Sequence, residues 1–217
     1  MMNNLQPSAF NRQPSAWLIL LILLTTGFLL PTASVTIAAV EPSPESVMQQ
    51  GQQAYQRGSF AQALQAWKQA ADLFKASGNA PAQVEALVHS AQASMGLGRS
   101  TQALQFLELA LALAQTSGNP LAEASVLGHL GRIYVTLGRL PEASDYLQQA
   151  SALAKQERAS PLLATTANDL GILSALKRQD QEALNAFEDS VVHAQYAKLP
   201  LLAATAKIGR ASCRERV

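Results

Sequence analysis

Residues 127–150 read LGHLGRIYVTLGRLPEASDYLQQA, and this stretch decides the fold. Leu127, Leu130, Tyr134 and Leu137 stand three or four residues apart, and beyond Gly138 the same spacing returns in Leu140, Ala143, Tyr146, Leu147 and Ala150. The pattern is that of two amphipathic helices, separated by a glycine suited to the left-handed backbone that closes a helix. The period-two alternation of strands is missing.

The same pattern recurs outward in both directions at a spacing of 40 residues. Gly58, Gly98 and Gly138 repeat with Ala63, Ala103, Ala143 and Ala183, and with Trp67, Leu107, Leu147 and Phe187. A third register holds Gly51, Ala91, Gly131 and Gly171, and a fourth holds Ala70, Ala110 and Ala150 with Ser190 last. Four registers in step mean four copies of one helix pair, punctuated by Pro81, Pro120, Pro161 and Pro200 near helix starts, where a missing N–H costs little. In the fourth copy Arg178 stands at the turn glycine's place. The spacing predicts helices at about 44–57 with 60–77, 80–97 with 100–116, 120–137 with 140–156, and 160–177 with 180–197. A partial fifth copy opens at Pro200. In repeat terms these are about 44–79, 80–119, 120–159 and 160–199, after a linker at 40–43.

Residues at these registers resemble the tetratricopeptide repeat: Leu127, Leu130, Gly131, Tyr134, Gly138, Leu140, Ala143, Leu147 and Ala150 stand at successive signature positions, and the first copy supplies Gly51, Gly58, Phe60, Ala63, Trp67 and Ala70. The resemblance covers 44–207. The family's usual period is about 34, so six extra residues per copy lengthen the helix pair by roughly a turn and a half. The expected fold is all-α, a right-handed solenoid of antiparallel helix pairs with a concave and a convex wall, because no single pair can bury its apolar face alone.

That resemblance also implies where a partner would lie. The inner wall is made by the first helix of each pair, here Glu45, Met48, Gln52 and Tyr55; Glu85, Val88, Gln92 and Met95; Ser125, Gly128, Arg132 and Val135; and Thr165, Asn168, Ile172 and Ala175. A groove that clamps a terminal carboxylate needs several converging cations and amides, and this wall offers only Arg132 and Asn168. Met48, Tyr55 and Met95 supply adaptable apolar contact instead. A protein or peptide partner is therefore expected in a groove that includes Met48, Gln52, Tyr55, Gln92, Met95, Arg132 and Asn168.

Chemistry has little to work with. The 217-residue chain is 48% hydrophobic and 14% charged, with a formal net charge of +1, which gives no electrostatic reason to expect nucleic acid. One cysteine, Cys213, excludes an internal disulfide and a cysteine-based zinc site. His89 and His129 share a register but lack acidic or thiol companions at ligand spacing. Asp180, Glu182, Glu188 and Asp189 read as a solvated helix face, and Gly96-Leu97-Gly98 as a turn with no strand before it. No catalytic residue, cofactor or metal is expected.

Both ends stand apart from the repeats. Residues 1–39 carry Arg12 and then Trp17–Leu30, an uncharged apolar run followed by Pro31 and small residues, as in an export signal processed after Ala38 or Ala39. Trp17 to Val40 is also long enough for an uncleaved anchor with its N-terminus inside. Either reading makes the protein exported, periplasmic or extracellular, and touching a membrane only through this segment. Residues 208–217, IGRASCRERV, are similar to one translated frame of a common short-read sequencing adapter at every position. They are expected to be non-native, helical by propensity only, and to add little burial. Three arginines and one glutamate leave with that tail and Arg12 with the leader, shifting the formal charge to about −2. The layout, with an opening phrase QQGQQAYQRGSFAQALQAWKQA at 49–70, is also similar to the N-terminal part of bacterial CHAT-domain proteins. That resemblance implies a caspase-like domain beyond residue 207, so the chain would be a sensing or assembly arm.

Overall fold

The computed structural model describes residues 43–216, and the expectations for residues 1–39 lie outside them. Nine helices and no strands are found among the described residues: α1 (Pro44–Gln56), α2 (Phe60–Ala76), α3 (Ala80–Gly96), α4 (Ser100–Thr116), α5 (Pro120–Thr136), α6 (Leu140–Gln156), α7 (Ser160–Leu176), α8 (Asp180–Tyr196) and α9 (Pro200–Arg214). None of them is long and apolar enough to cross a membrane.

Every turn between helices has the same construction. At the first, Ser59 N–H donates to Ala54 O at 2.9 Å and Gly58 N–H to Tyr55 O at 2.9 Å, the paired bonds of a Schellman close. This closure puts the residue between them in the left-handed region, with φ 74° at Gly58 and 72° at Gly138. The later turns reach it with Arg158, Arg178 and Lys198, at φ 52°, 61° and 58°. In the left-handed region a side chain costs about 1–2 kcal/mol, so these turns are held by the helices on either side. Asn79 and Asn119 act twice. Each donates its N–H to the helix behind it, and each offers its side-chain oxygen to the helix ahead, to Ala82 N at 3.2 Å and Ala122 N at 3.0 Å.

Packing follows the four registers. Ala63, Ala103, Ala143 and Ala183 are fully buried where the helices cross, and Trp67, Leu107, Leu147 and Phe187 fill the gap beside them. The large residues need a hole opposite. A Cβ on Gly171 would stand 2.7 Å from Phe187 Cδ1, and one on Gly131 2.6 Å from Leu147 Cγ, both too close. Trp67 lies over Gly51 in the same way and donates its Nε1–H to Met48 O at 3.2 Å. Truncating such a side chain costs about 3–5 kcal/mol. Ser190, where other copies have alanine, is buried without loss because its hydroxyl donates to Ala164 O at 2.8 Å.

Each helix packs on its neighbours in sequence, and α3 also touches α5, α5 touches α7, and α7 touches α9. This is the stacked α-solenoid of antiparallel pairs that the repeats predict.

The tail departs from expectation. Helix α9 runs through Arg214, Cys213 is 1% exposed, and a Cβ on Gly209 would stand 2.6 Å from Phe187 Cζ. Arg210 pairs with Glu188 and Arg216 with Asp180, each at 3.1 Å, so the acidic stretch of α8 is only partly a solvated face. Two repeats beyond Leu127, Leu130 and Tyr134, α9 carries Lys207, Arg210 and Arg214 where the third copy has large apolar or aromatic residues. A second face, Ala206, Gly209 and Cys213 at helical spacing, is small enough to close on Phe187 instead, while Ala203 packs with Ala164 and Ala194.

Candidate functional site

Helices α1, α3, α5 and α7 set the same face toward one side because their registers differ by whole repeats. Residues three or four apart on each therefore form a continuous wall. Tyr55, Gln92, Met95 and Arg132 come together there, around a cavity of about 320 Å³ that Val88 and His129 also line. Tyr55 is set by Phe60 and Trp67, with ring centroids 5.2 and 5.5 Å away.

Arg132 lines this cavity and two further ones. One, of about 560 Å³, lies between Arg132, Thr165, Asn168 and Asp169 and the start of α9 at Leu199–Leu202. The other, of about 570 Å³, runs from Leu121 past Gly128 to Leu162 and Asp169. Met48 and Gln52 line none of the three. Met48 is partly buried against the core beneath Trp67, and Gln52 is exposed on α1.

Two residues lining these cavities lie outside the wall positions expected from the sequence. Asp169 accepts from Arg132 Nε at 3.1 Å and Nη2 at 2.8 Å, its side chain 8% exposed against 49% for the arginine. The sequence does hold a signal for it, since Asp169 is the lone charge in α7 and a buried charge requires a partner. His129 is the second. Burial first, then the Arg132 guanidinium and His89, push its pKa down to about 3, so it is neutral at ordinary pH. His89 turns away from it to stack on Trp67, with centroids 4.8 Å apart, and meets Gln92 Oε1 through Nδ1 at 3.1 Å. Among the described residues no group of three or more His, Cys, Asp or Glu could hold a metal ion.

Among the described residues the cavities along the wall bring together one internally neutralised ion pair, one neutral imidazole, hydroxyls, amides and apolar side chains.

Comparison with known proteins agrees with this architecture. The family model for the tetratricopeptide repeat matches residues 83–156 and 122–191, together half of the chain. None of the curated proteins matches. Among solved structures, BtubC (BKLC) from P. vanneervenii is similar at a TM-score of 0.62 and 19% identity, over 79% of this chain and 77% of that one. A Rap protein complexed with Competence and Sporulation Factor gives 0.69 and 15%, over 78% and 51%. A signal-transduction ATPase with a tetratricopeptide repeat sensor, from Pyrococcus horikoshii, gives 0.61 and 17%, over 76% and 26%. At these identities the likeness is one of fold.

Proposed function

Because the chain belongs to the tetratricopeptide-repeat family, a fold of protein–protein interaction scaffolds, we propose that it is an exported, non-catalytic scaffold whose groove holds an extended segment of another protein. One observation carries this reading: Arg132 is common to three adjoining cavities, which run along the wall from Tyr55 on α1 to Leu202 on α9. A segment crossing several repeats can spread its contacts along such a wall. Export is supported by the uncharged Trp17–Leu30 run.

The test pairs Met95→Ala with Tyr55→Ala in one variant, which removes two groove contacts and leaves the Arg132–Asp169 ion pair intact. Its helical circular dichroism should match the parent, while proteins captured by the parent from the exported fraction of its native host should be lost. Unchanged capture of every such protein overturns the groove reading.

A second reading rests on the opening phrase at 49–70, similar to CHAT-domain proteins: the solenoid serves as the sensing or assembly arm of a longer protease-like polypeptide. The adapter-like residues 208–217 support the accompanying proposal that native sequence gives way near Lys207. Genomic reads across the Lys207 codon test both. A stop codon within one or two further repeats sinks the protease arm, and reads that continue as IGRASCRERV in the genome sink the adapter proposal.

A further inference from the structure

The cavity between α5, α7 and the start of α9 holds two side-chain acceptors that no group among the described residues satisfies. Thr165 Oγ1 donates to Leu162 O at 2.9 Å, so its hydroxyl proton is committed within its own helix. Arg132 commits Nε and Nη2 to one oxygen of Asp169. Acceptors remain. Asn168 is 6% exposed, and its Oδ1 is the only buried side-chain nitrogen or oxygen without a hydrogen-bond partner among the described residues. The second oxygen of Asp169 also takes no hydrogen bond among them. A buried acceptor without a partner costs about 1–3 kcal/mol, and a ligand that supplies the donor recovers that loss.

Charge points the same way. The wall's one cation, Arg132, is neutralised internally by Asp169, while Glu45 on α1 and Glu85 on α3 lie at the same wall register with only His89 near Glu85. An incoming anion at α7 would have to share the cavity with the Asp169 carboxylate. Beside these acceptors stand Leu199, Pro200, Leu201 and Leu202, of which Leu201 is 84% exposed. The lining is therefore an acceptor pair next to an aliphatic shelf.

We propose that this cavity is a subsite for a basic side chain, lysine or arginine, of an extended peptide, with the cation between Asn168 and Asp169 and an aliphatic neighbour on Leu199–Leu202. The assignment rests on the groove reading above and makes it specific, since it names the residue chemistry that the partner segment must carry.

The test uses the full chain and an acetylated, amidated hexapeptide library in which one position at a time is fixed. At one position lysine and arginine should be enriched at least tenfold over norleucine and glutamine. Asp169→Asn should abolish that preference. Arg132→Gln, which frees the carboxylate, should strengthen it, and a merely structural role for the pair would weaken it in both variants. Thermal melts of the two variants establish that each is folded. Binding without charge preference, or with a preference for glutamate, overturns the subsite and leaves the groove reading standing. A preference confined to non-acetylated peptides assigns the cation to an amino terminus and overturns the side-chain assignment. Failure of every peptide pool to bind overturns the subsite together with the groove reading.

Discussion

Arg132 on α5 delivers two of its guanidinium nitrogens to a single oxygen of Asp169, 37 residues away on α7. The bond ties the third repeat to the fourth on the groove side, in addition to the apolar stacking behind it. Removing one partner leaves the other half-desolvated, which for a fully buried pair costs about 3–5 kcal/mol and here, with the arginine half-exposed, roughly 1–3. Asp169→Ala should lower stability by that amount in urea unfolding. Arg132→Met with Asp169→Leu, which removes both charges, should recover most of it. A double variant as weak as the single would show that the pair matters for reasons other than desolvation.

Gly171→Ala should destabilise, because the new Cβ meets the Phe187 ring at 2.7 Å. Overpacking of this kind costs about 1–3 kcal/mol, less the roughly 0.5–1 that alanine regains in a helix. The second repeat already shows the remedy in its Ala91 and Leu107. Gly171→Ala with Phe187→Leu should therefore be more stable than Gly171→Ala alone, a positive coupling read from a double-mutant cycle.

Arg178 holds φ 61° without being glycine. Arg178→Gly should raise stability by about 0.5–1 kcal/mol, the relief of left-handed strain less the entropy that glycine adds to the unfolded chain. The same exchange at the exposed helical residue Gln181 should do the reverse, by a similar amount.

His129 gives the fold a pH dependence of definite sign. The native imidazole takes its proton only near pH 3, against 6.5 for the ordinary group, so between those values the unfolded chain binds more protons. Stability from this source is complete above about pH 6.5 and is lost as pH falls toward 3. His129→Gln should flatten the decline in melting temperature between pH 7 and 4. An equal decline in both proteins would mean that carboxylates elsewhere account for it.

A chain ending at Lys207 loses Gly209 and Cys213 from the cover of Phe187, and with them both arginine pairs to α8. The expected cost is about 1–3 kcal/mol, seen as a melting temperature lower by a few degrees. An unchanged melting temperature would return the tail to the idle role that its sequence suggests.

The helix ends were legible to within a residue, because turn glycines, early prolines and four registers of small and large residues all express one local geometry. The pairing of Asp169 was not legible, although its isolated charge was. Its partner lies on another helix, and only the stacking of α5 on α7 brings the two together. Met48 stands at a wall register and is also partly buried against the core, a division that spacing alone does not reveal. In α9 the repeat's large residues are replaced by charged ones, and closure comes instead from small residues meeting the Phe187 ring already in place.

The doubled duty of Asn79 and Asn119 has a genetic corollary. One three-residue joint finishes a helix and starts the next, so any stretch cut from one joint to its equivalent is a complete cassette. Excising codons 80–119 joins Asn79 directly to Pro120 and leaves both caps satisfied. Unequal crossing-over within such a gene then yields longer or shorter arrays whose joints are already correct, and the length of the binding wall can drift from one lineage to another without a new fold having to be found.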